Sequence, residues 1–274
     1  MKIEAIIICI NYSDFLRVTL PTNKAFFDKI VIVTDCNDIA THKVCEFYNV
    51  QCIKTNEFYK DGSTIANKAI GINIGLKHIS KGAWVVQLDA DIWLPPMTRD
   101  IIENYPLDGK CIYGIDRLMC NSYKEWVDFI HSSEHKPLHE GYIYLHLHHF
   151  HIGQRVVEYK GEGYMPIGFF QLWNPSLSEI ESYPVEIVGY DRTDVLHLKQ
   201  FERINRRFIA DLICVHLASE EHGMGQNWNG RKTIPFSPVT EKLYEKFLRK
   251  ISYSINFVKH HVSKIKKKRD KDSY

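Results

Sequence analysis

Apolar runs alternate with helix-like segments through the first hundred residues, and this alternation constrains the fold more than any other feature. The runs have the composition of buried strands and lie at residues 3–10, 29–34, 50–54 and 84–88. The segments between them carry apolar residues at helical spacing and lie at residues 14–27, 40–48 and 63–77. Strands that alternate with helices predict a mostly parallel α/β sheet with right-handed crossovers.

The alternation fails from about residue 107 onward. The later segments predict a strand at 110–115, a helix at 122–130, an extended stretch at 142–159, a Gly-punctuated apolar run at 161–174 and a helix at 194–207. This half is therefore predicted to be an α+β lobe that continues the sheet. Because no linker or repeat interrupts the chain, we predict one domain over residues 1–240, with lobes at 1–106 and 107–240, followed by a separate segment at 241–274.

Polar side chains follow three of the predicted strands. Asn11, Asp35 and the pair Asp89 and Asp91 all stand at strand ends. The carboxyl ends of parallel strands meet at one edge of a sheet, which is where such folds bind ligands. On an extended backbone Asp89 and Asp91 would point to the same side, and carboxylate oxygens suit Mg²⁺ or Mn²⁺. Read alone, the Asp-Ala-Asp triplet is equally typical of a solvated turn.

Bulk composition favours a globular protein without a membrane anchor. The chain has 274 residues, of which 45% are hydrophobic and 12% aromatic, enough for a packed core. Its apolar runs are too short for a signal peptide or a membrane span. Seven cysteines, none in a Cys-x-x-Cys pair, predict reduced thiols and a cytoplasmic location.

The net charge of +2 hides a division along the chain. Residues 241–274 carry 11 Lys/Arg and 4 Asp/Glu, a net of +7, so the preceding part has a net of −5. Apolar residues at helical spacing predict a basic amphipathic C-terminal helix docked on the body. The alternative is contact with an anionic membrane surface or with nucleic acid. The oligomeric state stays open.

The order of these parts resembles the GT-A glycosyltransferases, particularly the family-2-like group that uses nucleotide sugars. The matching segments lie at residues 11–14, 33–35, 66–73, 88–91, 216 and 227–231. The resemblance covers residues 3–235 and implies a GT-A fold, in which a Rossmann-like sheet flanked by helices carries an acceptor lobe. It also implies a UDP-sugar or other nucleotide sugar as the donor, with Mn²⁺ or Mg²⁺ as the cofactor.

The resemblance assigns roles to the acidic pair and to one histidine. It implies that Asp91 binds the metal directly, and that Asp89 reaches the ribose or a metal-bound water. It further implies that His216, which follows an apolar run, is the third metal ligand. A lone histidine in that position is otherwise typical of a core or surface residue.

Further positions are implied to hold the nucleotide. Asp35 matches the acid that contacts the base, and Asn11, Asn67 and Lys68 lie where the ribose and phosphates would approach. Asn227, Trp228 and Arg231 lie in a Gly-bearing loop that we interpret as a lid over the diphosphate, the alternative being an ordinary surface loop.

An inverting transfer needs a base for the acceptor hydroxyl. Asp191 and Asp194 occupy the place where the family carries an acidic pair, although Tyr190 stands where an acid is usual. The same spacing is typical of a helix N-cap. Four histidines between His146 and His151 suggest zinc, but on a strand they divide between two faces and form no four-ligand set.

Together these features predict a metal-dependent, inverting glycosyltransferase that moves a sugar to a hydroxyl acceptor. Aromatic residues at 168–173 favour a glycan acceptor, since sugar rings stack on aromatic faces. A modified nucleobase in DNA or a protein is the alternative acceptor. Two other classes stay open: a sugar-phosphate nucleotidyltransferase, although no glycine follows the first strand, and a non-catalytic module that binds glycans or nucleic acid.

Overall fold

The computed structural model describes residues 1–62, 66–120, 123–131, 165–166, 168–186, 193–217 and 236. The strands in these ranges are β1 Ile3–Ile8, β2 Lys29–Asp35, β3 Gln51–Thr55, β4 Trp84–Asp89, β5 Ile92–Trp93, β6 Ile112–Cys120, β7 Phe170–Trp173 and β8 Arg206–Leu217. The α-helices are α1 Ser13–Asn23, α2 Ile39–Phe47, α3 Lys68–Leu76, α4 Thr98–Asn104, α5 Tyr123–His131, α6 Pro175–Ser178 and α7 Thr193–Lys199. Three 3₁₀ helices complete the set at Lys24–Phe26, Glu57–Gly62 and Arg203–Asn205.

The described strands form one sheet in the order β3-β2-β1-β4-β7-β6-β8-β5. β1 pairs in parallel with β2 and β4, and β2 pairs in parallel with β3. β7 is antiparallel to both β4 and β6, β8 is parallel to β6, and β5 is antiparallel to β8. All strands except β5 and β7 therefore run the same way, and the predicted mostly parallel α/β sheet flanked by helices is confirmed.

The central strand β1 explains why the alternation in the sequence is so clear. All six of its residues are buried, as expected for a parallel strand that is covered on both faces. Ile3 and Ile7 pack with Leu16 of α1 on one face. Ile6 on the other face packs with Ile72 of α3. The crossover helices thus cover both sides of the sheet and leave its carboxyl edge for a site.

The second half differs from the sequence prediction in its boundaries. The helix expected over residues 194–207 ends at Lys199, and the chain from Arg206 is strand β8. The reason lies in tertiary structure, because β8 pairs with β6 at residues 206–208 and 213–217, and this pairing overrides the local helical pattern at Arg206 and Arg207. The elements β5, α4 and α6 were not predicted from the sequence.

Phe236, near the C-terminal end of the described residues, packs in a second, smaller aromatic core beside the sheet. Its ring stacks on Phe15 of α1 at 4.9 Å between centroids, and its backbone N–H donates to Asp14 at 2.5 Å. The predicted C-terminal helix, the extended stretch at 142–159 and the boundary at residue 240 lie outside the described residues. The division at residue 106 stays a prediction, with strands from both sides of it in one sheet.

All seven cysteines are unbonded thiols. No helix in the described part of the chain is long and apolar enough to cross a membrane.

Close packing of α3 on the sheet gives a test of the fold. A Cβ on Gly75 would lie 2.6 Å from Ile6 Cγ2, an atom that cannot rotate away freely in a strand. Gly75→Ala gains about 1 kcal/mol in helix propensity. We nevertheless expect it to lower the free energy of unfolding in urea by about 1–3 kcal/mol, because the helix must move off β1. In an Ile6→Ala background that loss should disappear; an unchanged loss would contradict this packing.

Candidate functional site

Asp89 ends β4 and is held by a buried lysine. Its Oδ1 accepts hydrogen bonds from Lys68 Nζ at 2.5 Å and from Gln87 Nε2 at 3.0 Å. Lys68, the first residue of α3, is 6% exposed and also donates to the Gly168 carbonyl at 3.0 Å. Burial raises the pKa of Asp89 above its ordinary value, while Lys68 opposes this and the neighbouring Asp91 adds to it. The lysine thus lies against the first carboxylate of the pair.

Asp91 lies in a turn and not on an extended backbone, which is the second of the two interpretations given by the sequence. β4 ends at Asp89, and Ala90 and Asp91 form a turn into β5. The Asp91 carbonyl accepts from Leu217 N–H at 2.9 Å, and its Oδ2 lies 3.2 Å from His216 Nε2. The two aspartates therefore have separate partners. Burial would raise the pKa of Asp91, but interaction with His216 outweighs it and leaves that pKa below its ordinary value.

His216 lies inside β8, opposite Ile92 of β5, and its side chain is 5% exposed. Arg117 Nη1 lies 3.0 Å from its Nδ1. The Arg117 guanidinium also lies over the Phe169 ring, 4.4 Å from the centroid. Burial lowers the pKa of Arg117, and the nearby Asp89 and Asp91 carboxylates oppose that shift. A buried cation thus supports the histidine beside the acidic pair.

A divalent cation fits one atom of this arrangement in particular. Asp91 Oδ1 is buried and has no hydrogen-bond partner, an arrangement that costs free energy unless a cation or donor satisfies it. Among the described residues, no group of three His, Cys, Asp or Glu side chains is arranged around one metal position. Mg²⁺ commonly takes one or two carboxylates together with substrate phosphates, so a larger cage is not required. The acidic pair therefore fits a cation that shares its coordination with a phosphate.

Asp35 and Asn11 lie at the ends of the neighbouring strands and are linked by Asp38. Asp38 Oδ2 accepts from the Asn11 backbone N–H at 2.7 Å, and Asp35 Oδ1 accepts from Asn37 N–H at 2.6 Å. Asn11 has a positive φ of 59°, which this hydrogen bond holds. Burial raises the pKa of Tyr59, and a hydrogen bond to Asp35 adds to the shift. This group lies at the carboxyl ends of β1 and β2, the same edge of the sheet as Asp89.

The Asn67 side chain forms hydrogen bonds with backbone groups in this structure. Its Oδ1 accepts from Ile70 N–H at 3.4 Å as the N-cap of α3, and its Nδ2 donates to the Val185 carbonyl at 3.2 Å. The amide oxygen thus caps the helix that carries Lys68, and the amide nitrogen ties this helix start to Val185. A ribose contact from Asn67 stays a prediction without support from this geometry.

Asp194 is connected to the acidic pair through the backbone. Its Oδ2 accepts from Gly168 N–H at 2.6 Å, and the Gly168 carbonyl in turn accepts from Lys68. A Cβ on Gly168 would lie 2.6 Å from Asp194 Cβ, so the close contact requires a glycine. Asp194 therefore stands behind the turn that holds Lys68. The other predicted base, Asp191, lies outside the described residues, as do Asn227, Trp228, Arg231 and the histidines at 146–151.

The aromatic run at 168–173 does not offer sugar-stacking faces, which corrects the interpretation made from sequence. Phe169, Phe170 and Trp173 are at most 3% exposed. Phe170 and Trp173 belong to the sheet core, because β7 is covered on both faces, and Phe169 covers Arg117. The argument for a glycan acceptor loses its support.

Several residues of the site were missed from the sequence. Gln87 interrupts an apolar strand, and a polar residue in such a run is a signal that it has a buried partner. Arg117 and Tyr59 carried no comparable signal, since each acquires its role only through contacts with distant strands. Asp38 was readable as a helix N-cap three residues before Thr41, whose N–H it accepts at 3.1 Å.

A buried histidine gives a pH test of the packing of α7, the helix that carries Asp194. His197 is fully buried and stacks on Tyr183 with ring centroids 3.6 Å apart, and burial lowers its pKa to about 3. In the unfolded chain its pKa is ordinary, so that chain binds more protons between pH 6.5 and 3. This histidine should therefore reduce stability as the pH falls through that window.

We expect the free energy of unfolding of the wild type to fall by about 1.5 kcal/mol more than that of His197→Gln between pH 6.5 and pH 5. Urea unfolding at the two pH values measures this difference. His131→Gln, at an exposed position, is the matched control and should keep the wild-type dependence. Equal slopes for His197→Gln and the wild type would show that His197 is not held neutral.

No protein-family model matches the chain, and no curated protein matches its sequence. Among solved structures, mannosyl-3-phosphoglycerate synthase from Rubrobacter xylanophilus is similar over 83% of this chain and 68% of its own, with 12% identity and a TM-score of 0.49. Glucosyl-3-phosphoglycerate synthase from Mycobacterium tuberculosis, in complex with Mn²⁺, uridine diphosphate and phosphoglyceric acid, is similar over 82% of this chain and 72% of its own. Its identity is 10% and its TM-score 0.46. With so distant a likeness, the reaction has to be argued from this chain's own residues.

Proposed function

We propose that this protein is a metal-dependent glycosyltransferase that moves a sugar from a UDP-sugar, or another nucleotide sugar, to a hydroxyl acceptor. The observation that carries the proposal is the partly buried pair Asp89 and Asp91 at the carboxyl end of β4. One carboxylate is matched by Lys68, and the other presents an oxygen without a partner. That arrangement is suited to a cation and a diphosphate arriving together.

In this proposal Asp91, whose Oδ1 has no hydrogen-bond partner, would hold Mn²⁺ or Mg²⁺, with Asp89 beside it. When bound, the cation neutralises the negative charge that develops on the leaving nucleoside diphosphate. His216 was predicted as a third ligand, and its contact with Asp91 supports a role beside the cation. Mg²⁺ commonly binds one or two carboxylates and completes its coordination with phosphate oxygens, so this small number of protein ligands is sufficient.

Lys68 supplies the second positive charge. Its ammonium is buried at the first residue of α3, where the helix N-terminus adds partial positive charge. Its hydrogen bonds to Asp89 and to the Gly168 carbonyl hold it against the carboxylate. Because an ammonium stabilises phosphate oxygens as a point charge, Lys68 is suited to contact the diphosphate from the side of α3.

The nucleoside is proposed to lie over the ends of β1 and β2. Asp35, with Tyr59 hydrogen bonded to it, would face the base, and Asn11 lies on the adjoining loop. These groups follow parallel strands that neighbour β4, so base and diphosphate sites share one edge of the sheet.

An inverting transfer requires a carboxylate that removes the acceptor proton. Asp194 already accepts from the Gly168 backbone, and this contact supports a role in holding the site rather than in proton transfer. The base in our proposal is therefore Asp191, three residues earlier. The acceptor is a hydroxyl compound whose class the buried aromatics of β7 do not indicate.

The proposal is tested by incubating the protein with a panel of nucleotide sugars, with and without Mn²⁺, and measuring nucleoside diphosphate release. We expect metal-dependent release from at least one donor, with a UDP-sugar favoured. Asp91→Asn should lower that rate at least about 100-fold, because it removes a carboxylate from the cation. Asp100→Asn, at an exposed position on α4, is the matched control and should leave it unchanged.

Donor binding by calorimetry separates the outcomes. If no nucleotide sugar binds or turns over, the protein is not a glycosyltransferase. Release of inorganic diphosphate from a nucleoside triphosphate and a sugar phosphate would instead indicate a nucleotidyltransferase. Full activity in Asp91→Asn would leave the reaction standing and refute the assignment of the site.

A further inference from the structure

We propose that Arg117 and His216 are positioning residues that orient Asp91, and that His216 donates a hydrogen bond to Asp91 instead of ligating the cation. This inference rests on the proposed function. It concerns how the site is held, and it assigns a role to Arg117.

Hydrogen-bond chemistry fixes the tautomer of His216. A guanidinium has only donors, so the contact between Arg117 Nη1 and His216 Nδ1 at 3.0 Å requires Nδ1 to be the acceptor. The proton of the neutral imidazole then lies on Nε2. That nitrogen faces Asp91 Oδ2 at 3.2 Å, within the range of an N–H···O hydrogen bond. A protonated Nε2 has no lone pair for a metal ion.

Arg117 is fixed strongly enough to impose this tautomer. Its side chain is buried and lies over the Phe169 ring at 4.4 Å, a favourable cation–π contact. Its backbone pairs with Cys214, two residues before His216 on the adjoining strand β8. The guanidinium therefore reaches His216 across the sheet from a backbone position that strand pairing sets.

The hydrogen bond leaves the two oxygens of Asp91 with different roles. Oδ2, 3.2 Å from His216 Nε2, would accept the hydrogen bond, and Oδ1 is the buried atom without a partner. Holding one oxygen in this way turns the other towards the cation, which is how groups behind a ligand commonly orient it. If His216 were itself a ligand, Arg117 would have to give up Nδ1, and the carboxylate would lose its donor.

The first test reads the tautomer directly. Long-range ¹H–¹⁵N correlation spectra of the wild type, alone and with Mg²⁺ and UDP, should show His216 protonated on Nε2 in both states. Arg117→Met should weaken this preference, because Asp91 alone then favours a proton on Nε2, and Arg117→Lys should restore it by supplying a donor. Protonation of wild-type His216 on Nδ1 in the loaded state would overturn the proposal.

The second test measures Mn²⁺ affinity in the presence of UDP. Gln can accept from Arg117 and donate to Asp91, so His216→Gln should stay within about 3-fold of the wild type, whereas His216→Ala should lose about 10- to 100-fold. If His216 is a ligand, both variants should lose affinity to the extent of Asp91→Asn. Should a variant fail to fold, the wild-type spectrum still decides. A wild type that binds neither Mn²⁺ nor UDP would refute the proposed function, and the tautomer of the protein alone would still be readable.

Discussion

Two carboxylates lie side by side at the end of β4, in surroundings where an uncompensated charge is costly. Asp89 is matched by Lys68, and Asp91 by His216. The partners come from different parts of the chain, since Lys68 begins α3 and His216 lies near the end of β8. The acidic pair is therefore stable only when the early parallel strands and the later strands have joined one sheet. The site is therefore complete only when the sheet is complete.

The order of strands brings these partners together. β7 lies next to β4, so the turn at Gly168 that precedes β7 reaches Lys68. Asp194 holds that turn from the first turn of α7. On the other side, the short strand β5 places the Asp91 turn against β8. Each aspartate is thus fixed by a different element of the second half. A change in either element would therefore act directly on one carboxylate and reach the other only through the charge interaction between them.

The sequence predicted what depends on local pattern and missed what depends on register. Strands such as Ile3–Ile8 were readable because parallel strands covered on both faces are apolar throughout. The turn at Asp91 was one of two interpretations, because no Gly or Pro interrupts the run from Leu88 to Trp93. The role of Arg117 was not readable. Its contact with His216 depends on the pairing of β6 with β8, which contains an irregularity after Gly114 that no local pattern announces.

The balance of charge explains why cation and diphosphate should bind together. In the described part of the site, the carboxylates of Asp89 and Asp91 face the cationic groups of Lys68 and Arg117, so the charges already cancel. A divalent cation alone would leave an excess of positive charge in a buried place, and a diphosphate alone an excess of negative charge. Arriving together they preserve the balance, and the cost of burying each is offset by the other. In the proposed reaction, the two buried cations Lys68 and Arg117 would tie occupancy of the metal position to the presence of the nucleotide.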